Sequence, residues 1–291
     1  MQKRTFFEYM HTVLARQQLS PNVTRLDVRA PRIAEIRQPG QFVIVRLAEN
    51  SERIPLTIAD ADPSAGSITL VVQAVGKSTN ELVALQPGQV IRDIAGPLGH
   101  PTELISSGHA LCIGGGVGTA VAHPIAQGLH RLGARVTSII GGRSREWVIF
   151  EEELRRFGHV VVCTDDGSRG RKGFVTDAIR DALAAGDVDT VYAVGPVPMM
   201  RAVANLTREP RVRTIVSLNP VMVDGTGMCG GCRVSIGNEN KFACVDGPEF
   251  DGHLVDFDEL MDRLCTYREF EKRALECAKE NCRTQKEIKE Y

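Results

Sequence analysis

Three cysteines and an aspartate are grouped in one glycine-rich stretch, with the spacing Asp224-x4-Cys229-x2-Cys232-x11-Cys244. Thiolates in a C-x2-C pair with a later cysteine can bind either zinc or an iron–sulfur cluster. Zinc would require a fourth sulfur or imidazole ligand, and His253 is available nine residues after Cys244. A [2Fe–2S] cluster requires four protein ligands, and Asp224 occupies the first-ligand position of the plant-type spacing.

The glycines of this stretch favour the cluster, because glycine lets a loop wrap closely around a bound group. They are Gly225, Gly227, Gly230 and Gly231. We therefore predict a [2Fe–2S] cluster bound by Asp224, Cys229, Cys232 and Cys244. The alternatives are a zinc site, a metal-free loop, and a cluster in which the aspartate is a turn residue and another group is the ligand.

The other five cysteines are expected to have structural roles. Cys112 and Cys163 lie in predicted buried strands, where a thiol usually acts as a small apolar side chain. Cys265, Cys277 and Cys282 lie on a predicted C-terminal helix, and the last two have a spacing that is poor for two ligands on one helix face.

A second candidate site is a glycine turn between a predicted buried strand and a predicted helix. It consists of Gly114, Gly115, Gly116, Val117, Gly118 and Thr119. Glycines let the backbone approach a pyrophosphate, whose charge is met by the N-terminus of the following helix. Polar or glycine residues at later strand ends, Asp165, Asp166, Gly195 and Pro196, favour a nucleotide site over a plain turn without a ligand.

The nucleotide preference depends on the end of the second strand of this region. An acidic residue there would favour a free ribose hydroxyl. The sequence instead has Arg143, Ser144 and Arg145, and the two arginines can pair with a 2′-phosphate. The sequence therefore favours NADP over NAD, and the alternative is that both arginines are solvated loop charges.

The elements that must position these residues fall into three regions. The first hundred residues contain short β-rich runs separated by turns, such as VTRLDVRA, QFVIVRLA and SITLVVQAVG, which is typical of a small antiparallel barrel. From Gly108 onward, apolar runs alternate with helical stretches such as EWVIFEEELRRFG and FVTDAIRDALAAG, which predicts a parallel α/β sheet. A third segment begins near Pro220 and ends in a charged helical tail.

Two early stretches, Arg53–Thr57 and Gly76–Thr79, complete a pattern that resembles the ferredoxin–NADP reductase superfamily. The resemblance implies an FAD between a flavin barrel and a nucleotide domain, with Arg53, Pro55, Leu56 and Thr57 closing a strand at the flavin and Gly76, Lys77, Ser78 and Thr79 binding its pyrophosphate. The sequence departs from the superfamily, because Leu56 replaces an aromatic residue, Arg53 falls one residue early, and Val194-Gly195-Pro196 replaces a late cysteine-glycine pair.

Nearly the whole chain is similar to a narrower group, the electron-transfer subunits of ferredoxin:NADP oxidoreductases and sulfide dehydrogenases, in which an aspartate is the first cluster ligand. The dihydroorotate dehydrogenase electron-transfer subunits are more distant and use four cysteines. The resemblance implies an FAD barrel domain (residues 1–105), a Rossmann-like NAD(P) domain (106–219) and a C-terminal [2Fe–2S] segment with a helical tail (220–291).

The same resemblance implies how the chain works. A hydride would pass between NAD(P)H and FAD, and single electrons would pass through the cluster to a larger flavoprotein subunit with its own FAD and [4Fe–4S] clusters, with ferredoxin as a further candidate partner. The alternatives are a dihydroorotate-type carrier, a self-sufficient flavin reductase and a zinc-bearing nucleotide-binding redox sensor.

Composition limits the partners and the compartment. The chain has 291 residues and a net charge of −1, so nothing indicates nucleic acid or an anionic membrane as a partner. No apolar run approaches the roughly 20 residues that a membrane helix needs. Polar residues interrupt the start of the chain, so we expect no signal peptide and a cytoplasmic protein.

Overall fold

A computed structural model describes residues 11–289, and it describes the side chains of the last helix as far as residue 278. The prediction for Cys282 lies outside the described side chains. Within the described residues, no helix is long and apolar enough to cross a membrane.

The first region folds into an antiparallel sheet that curls into a nearly closed barrel. Its strands are β1 (His11–Ser20), β2 (Val23–Arg29), β3 (Phe42–Arg46), β4 (Ile54–Asp62), β5 (Ser67–Gln73), β6 (Val90–Ile91) and β7 (Asp93–Leu98), with helices α1 (Pro31–Ile36) and α2 (Lys77–Ala84) between them. The spatial order β6-β1-β2-β5-β4-β3-β7 puts β6 and β7 at opposite edges, although one residue separates them in sequence. The edges must therefore lie close together.

The barrel interior is filled by alternating side chains of its strands. In β2, for example, Leu26 and Val28 are fully buried, while Arg25 and Asp27, which alternate with them, reach solvent. This period of two is what a strand with one core face requires. The sequence predicted β2 from this alternation and β3 and β5 as β-rich runs that follow turns, and the structure confirms all three strands.

The second region is a parallel sheet with helices on its faces. Its elements are β8 (His109–Gly115), α3 (Thr119–Leu132), β9 (Arg135–Gly142), α4 (Glu151–Arg155), β10 (His159–Thr164), β11 (Arg171–Lys172), α5 (Val175–Ala184), β12 (Thr190–Val194), α6 (Val197–Arg208) and β13 (Arg213–Ser217). The strand order is β11-β10-β9-β8-β12-β13, and every pair is parallel. All residues of β8 are buried, as expected for a strand covered on both faces.

The third region contains β14 (Arg233–Ile236), β15 (Glu239–Phe242), β16 (Glu249–Asp251), α7 (Phe257–Cys265) and α8 (Arg268–Lys289). The strands β14 and β15 form a hairpin, and β16 joins the second sheet antiparallel to β13. The side chain of Asp256 caps α7 by accepting from the amide of Glu259 at 2.9 Å. The predicted combination of an antiparallel barrel, a parallel α/β sheet and a small third segment is confirmed.

Two local predictions are wrong. The predicted helix EWVIFEEELRRFG is α-helical only over Glu151–Arg155, because Phe150 has a left-handed φ of 61° and is buried with Ile149 in the core. Arg53–Thr57 opens a strand instead of closing one. Residues from Ile54 onward pair with β3, with Ile54 opposite Val45 and Thr57 opposite Phe42.

Candidate functional site

The glycine turn lies at the carboxyl end of β8, where the strand order of the parallel sheet reverses. β9 lies on one side of β8 and β12 on the other, and ligands of such sheets bind in the crevice at this switch point. A Cβ atom on Gly114 would lie 2.7 Å from the Cα atom of Thr119, and one on Gly118 would lie 2.5 Å from the carbonyl oxygen of Val194. The strand and helix can approach this closely only without side chains.

The structure brings the two predicted glycine stretches together. A Cβ atom on Gly115 would lie 2.6 Å from the Sδ atom of Met199 and 3.1 Å from the Cδ atom of Pro196. Gly116 has a left-handed φ of 56° and no heavy atom within 4 Å of a Cβ position. The crevice therefore has an open backbone wall from β8 and a second wall from the loop after β12, which is a suitable shape for a dinucleotide phosphate.

The loops after β9 and β10 are also joined. The amide of Arg145 donates to the Ser168 hydroxyl at 2.7 Å, and that hydroxyl donates to the Asp166 carboxylate at 2.7 Å. The hydrogen bonds from Ser168 lower the pKa of Asp166. The amide of Asp165 donates to the carbonyl oxygen of Gly142 at 3.2 Å, so both predicted loop stretches form one ledge.

A cleft of about 480 Å³ opens beside this ledge. Its lining residues are Leu19, Ser144, Arg145, Glu146, Val148, Asp166 and Ser168. The guanidinium of Arg143 lies 5.9 Å from the centre of the Trp147 ring, within cation–π range. The cleft therefore combines an arginine with two carboxylates, and the arginine-based preference for NADP stays a prediction.

Thr57 lies on the barrel strand that contacts the nucleotide domain. Next along β4, the carbonyl oxygen of Ala59 accepts a hydrogen bond of 3.0 Å from Nδ1 of His123 on α3. His123 is buried against Phe150, burial lowers its pKa, and the ring packs in the core on α3. The position of Thr57 at this junction suits a flavin between the two domains.

Gly76–Thr79 forms the capped start of α2, and its contact with the flavin pyrophosphate stays a prediction. The Thr79 hydroxyl accepts from the amides of Gly76 and Val75, at 2.9 and 3.0 Å. The Ser78 hydroxyl donates to the carboxylate of Glu52. The Glu52 carboxylate therefore lies at the start of this helix.

Arg53, predicted from the resemblance to contact the flavin, contacts the cysteine-rich segment in this structure. Its Nε atom donates to the carbonyl oxygen of Val223 at 2.9 Å, and its Nη2 atom lies 3.5 Å from the carbonyl oxygen of Asp224. The guanidinium therefore joins the barrel to the first proposed cluster ligand.

The proposed ligands form two pairs, Asp224 with Cys229 and Cys232 with Cys244, and a hydrogen bond joins the members of each pair. The Asp224 carboxylate accepts from the amides of Thr226 and Cys229, both at 2.8 Å, which lowers its pKa. Cys232 and Cys244 are buried, and the Cys244 amide donates to the Cys232 sulfur at 3.4 Å. Burial, and then the hydrogen bond with Cys232, raise the pKa of Cys244 to about 12.

The donor set fits an iron–sulfur cluster. Amides donate to the sulfurs of both Cys232 and Cys229, the latter from Gly231 at 3.5 Å, and such bonds are a usual feature of cluster sulfurs. Among the described side chains, residues 11–278, no three His, Cys, Asp or Glu groups lie together at metal-binding distances. Cluster binding therefore requires the exposed Cys229 and the Asp224 carboxylate to turn toward the buried pair.

His253, the fourth ligand that the zinc alternative requires, contacts another part of the protein. The Nε2 atom of His253 lies 2.9 Å from the Thr207 hydroxyl of α6, and its backbone amide donates to Asp251. The imidazole is therefore engaged by the nucleotide domain.

The other cysteines divide into buried and exposed thiols. Cys112 and Cys163 are buried in β8 and β10 as predicted, and burial raises the pKa of both thiols. Cys265 and Cys277 are exposed on α7 and α8, so they do not contribute to the core.

Sequence reasoning missed two residues that the fold brings to the site. Arg263 of α7 donates to the carbonyl oxygen of Gly231 at 3.2 Å. Glu249 of β16 accepts from the Thr102 hydroxyl at 2.9 Å, and burial raises its pKa to about 7. Neither residue lies in a local motif, so only their position in the folded chain could identify them.

Comparison with known proteins agrees with this arrangement. Residues 11–102 match the oxidoreductase FAD-binding domain, and residues 219–256 match the iron–sulfur cluster binding domain of dihydroorotate dehydrogenase B. The chain is 45% identical over 263 residues to the dihydroorotate dehydrogenase B (NAD(+)) electron transfer subunit homolog of Thermotoga maritima, over 90% of this chain and 93% of the relative. It is 36% identical over 248 residues to the corresponding subunit of Bacillus caldolyticus, over 82% and 95%.

Solved structures give the same result. A chain of the NADH-dependent reduced ferredoxin-NADP oxidoreductase, studied for flavin-based electron bifurcation, matches with a TM-score of 0.88 and 44% identity, over 92% of this chain and 97% of that one. The ferredoxin reductase of carbazole 1,9a-dioxygenase has the same fold, with a TM-score of 0.58 and 21% identity over 70% and 65%.

The fold and its sites define a flavin- and iron–sulfur-dependent oxidoreductase subunit with the ferredoxin reductase architecture. The chain belongs to the family of dihydroorotate dehydrogenase B-type electron-transfer subunits. The predicted FAD, iron–sulfur cluster and nicotinamide nucleotide are confirmed as the cofactors and substrate of this family.

Proposed function

We propose that the chain takes a hydride from NAD(P)H and delivers single electrons to a larger subunit of the ferredoxin:NAD(P) oxidoreductase or sulfide dehydrogenase type. One observation carries this proposal: hydrogen bonds join Asp224 to Cys229 and Cys232 to Cys244. The loop that contains the first three of these residues packs against the barrel at Gly225. When bound, FAD exchanges a hydride with the nicotinamide and a [2Fe–2S] cluster carries one electron at a time.

The residues of the chain bind and orient in this proposal. The turn from Gly114 to Thr119, with Gly195 and Pro196, binds the dinucleotide phosphates. The loops at Arg143–Arg145 and Asp165–Asp166 hold the adenosine end. Thr57 places its hydroxyl beside the flavin, and α2 provides amides for the flavin pyrophosphate.

The cluster ligands that we propose are Asp224, Cys229, Cys232 and Cys244. Cys229 is exposed and its neighbour Met228 is 89% exposed, so this side of the loop is accessible from outside. We propose that electrons leave here to a larger flavoprotein subunit with its own FAD and [4Fe–4S] clusters, and that ferredoxin is the further partner. None of the seven cysteines with described side chains forms a disulfide, which supports a cytoplasmic location.

Anaerobic purification followed by metal and flavin analysis tests this function. We expect about two irons and one FAD per chain, and an EPR signal after reduction with NADH or NADPH. Colourless protein that contains zinc would support the redox-sensor alternative. Full ferredoxin turnover by the isolated chain would support a self-sufficient reductase.

A dihydroorotate-type carrier is the second candidate, and the names of the Thermotoga maritima and Bacillus caldolyticus relatives favour it. The aspartate at position 224 favours the first candidate, because the family resemblance implies an aspartate as the first cluster ligand in that group and a cysteine in the dihydroorotate-type subunits. Mass spectrometry of the copurifying partner separates the two, since one partner would be an iron–sulfur flavoprotein and the other a dihydroorotate dehydrogenase.

A further inference from the structure

The cluster loop, residues 221–232, lies between two other parts of the molecule. On one side it lies against the barrel. Gly225 has a left-handed φ of 77°, and a Cβ atom there would lie 2.8 Å from Ile44 of β3 and 2.8 Å from Leu98 of β7. On the other side, residues after Cys229 lie near α7 and the β14–β15 hairpin. The loop is therefore held at both ends by different elements.

A guanidinium group marks each of these two ends. Arg53, at the start of β4, donates to the carbonyl oxygen of Val223 at 2.9 Å and lies 3.5 Å from that of Asp224. These contacts join Arg53 to residues that lie 170 and 171 positions later in the sequence. The contact is to the backbone on which the first proposed ligand is mounted.

Arg263, on α7, holds the opposite end of the loop. Its Nη2 atom donates at 3.2 Å to the carbonyl oxygen of Gly231, which lies between Cys229 and Cys232. Its Nε atom is buried and has no hydrogen-bond partner within the described residues. The side chain is therefore directed into the base of the loop and does not extend into solvent.

Both cations lie beside a strongly anionic ligand set. Three thiolates and one carboxylate are all negative when they bind iron, and each added electron makes the cluster more negative. A fixed positive charge near the cluster stabilises the reduced form more than the oxidised form. A hydrogen-bonded arginine also restricts the loop, because the fork of donors fixes the direction of the carbonyl groups.

We propose that Arg53 and Arg263 form a cationic clamp that seats the cluster loop between the barrel and α7 and makes the cluster easier to reduce. The two arginines are positioning residues, since they contact the backbone of the loop. The proposal rests on the proposed function for the identity of the bound group. It assigns Arg53 a role different from the phosphate contact that the superfamily resemblance implies.

The test compares Arg53→Met and Arg263→Met with Arg53→Lys and Arg263→Lys. Arg92→Met is the matched control. Arg92 is exposed, pairs with Glu49, and precedes β7 at the end opposite Leu98, so its removal changes net charge without touching the loop. We expect each methionine variant to shift the one-electron reduction equilibrium of the cluster about tenfold toward the oxidised form. This shift corresponds to a midpoint potential lower by about 59 mV. The lysine variants should recover most of that shift, and the control should show none.

Hydrogen exchange gives a second readout that does not need the cluster. In iron-free protein, we expect amides near residue 224 to exchange several-fold faster in Arg53→Met, and amides near residue 231 to do so in Arg263→Met. FAD affinity should stay within twofold of wild type. Unchanged potentials in both methionine variants would overturn the redox role, and unchanged exchange would overturn the seating role.

One outcome would specifically support the rival assignment. If Arg53→Met weakens FAD at least tenfold and leaves the cluster potential unchanged, Arg53 is a flavin ligand and the clamp is wrong. Wild-type protein without iron would overturn the proposed function, while the exchange experiment would still decide whether the arginines seat the loop.

Discussion

A carboxylate at position 224 changes the donor atom of the proposed cluster without changing the formal ligand charge. Oxygen is a harder donor than sulfur and favours the ferric state. We therefore expect Asp224→Cys to shift the midpoint potential of the cluster to a more positive value, measured by redox titration of the EPR signal. Iron content of the same sample is the control for occupancy. An identical midpoint potential would show that Asp224 has no tuning role.

Arg143 allows the nucleotide preference to be tested. If the arginines bind a 2′-phosphate, Arg143→Ala should lower the affinity for NADPH about tenfold relative to NADH, because one charge-assisted contact contributes on the order of 1–2 kcal/mol. Binding of both nucleotides to the variant and the wild type measures the ratio. An unchanged ratio would remove the arginine argument and would leave the carboxylates of Glu146 and Asp166, which line the same cleft, as the determinants of a preference for NADH.

The sequence predicts the proposed ligand residues but not the residues that support them. The spacing of Asp224 and the three cysteines is a local property of the sequence, as is the glycine turn before α3. Arg263 and Glu249 act across long stretches of chain, and no periodicity or motif connects them to Gly231 or Thr102. Arg53 lies in a recognisable motif, but its contact depends on the packing of the loop against the barrel.

At the scale of the elements, the packing of the cluster loop against the barrel depends on Gly225. Gly225→Ala would place a methyl group 2.8 Å from Ile44 and Leu98 and would strain a φ of 77°. We expect a loss of at least about 2 kcal/mol in unfolding free energy together with reduced iron retention. Thermal denaturation and iron analysis measure the two effects.

Gly237 provides the matched control for this substitution. It has a left-handed φ of 61° in the β14–β15 turn and no heavy atom within 4 Å of a Cβ position. Gly237→Ala should therefore cost only the backbone strain, about 1 kcal/mol, with iron retention unchanged. Equal effects of the two substitutions would show that the contact with the barrel is unimportant.

The regular elements follow from local patterns, and the exceptions have tertiary causes. Alternation predicted β2, β-rich runs bounded by turns predicted β3 and β5, and buried apolar runs predicted β8, β9, β10 and β12. The helix expected before α4 fails because Ile149 and Phe150 are buried in the core, which fixes Phe150 in a left-handed conformation. Packing there overrides a local helical pattern, as is common for short segments.

At the scale of the whole molecule, Glu249 is a buried carboxyl between the barrel and the parallel sheet. Its Oε1 accepts from Thr102 of the chain segment that leaves the barrel, and its Oε2 is buried without a partner within the described residues. Burial raises its pKa from 4.5 to about 7, so the folded protein binds a proton that the unfolded chain releases. The resulting stability is present below pH 4.5 and is lost as the pH rises through about 7.

Glu249→Gln tests this pH dependence. The shift from 4.5 to about 7 corresponds to an upper limit of roughly 3 kcal/mol. We expect wild type to lose that stability relative to the variant between about pH 5 and pH 8, measured by denaturant unfolding at several pH values. Curves for the two proteins that stay parallel over this range would contradict the prediction.

The third region leaves and re-enters the parallel sheet at neighbouring positions. Ser217 of β13 is paired with Glu249 of β16, and the amide of Leu218 donates to the carbonyl oxygen of Pro248 at 2.8 Å. Residues 219–247 therefore form an insertion whose two ends are hydrogen-bonded to each other. The proposed electron outlet is therefore an insertion anchored at one place on the sheet. Its buried side chains, among them Cys232, Val234 and Cys244, join the core of the nucleotide domain, so a chain shortened at this point would expose part of that core.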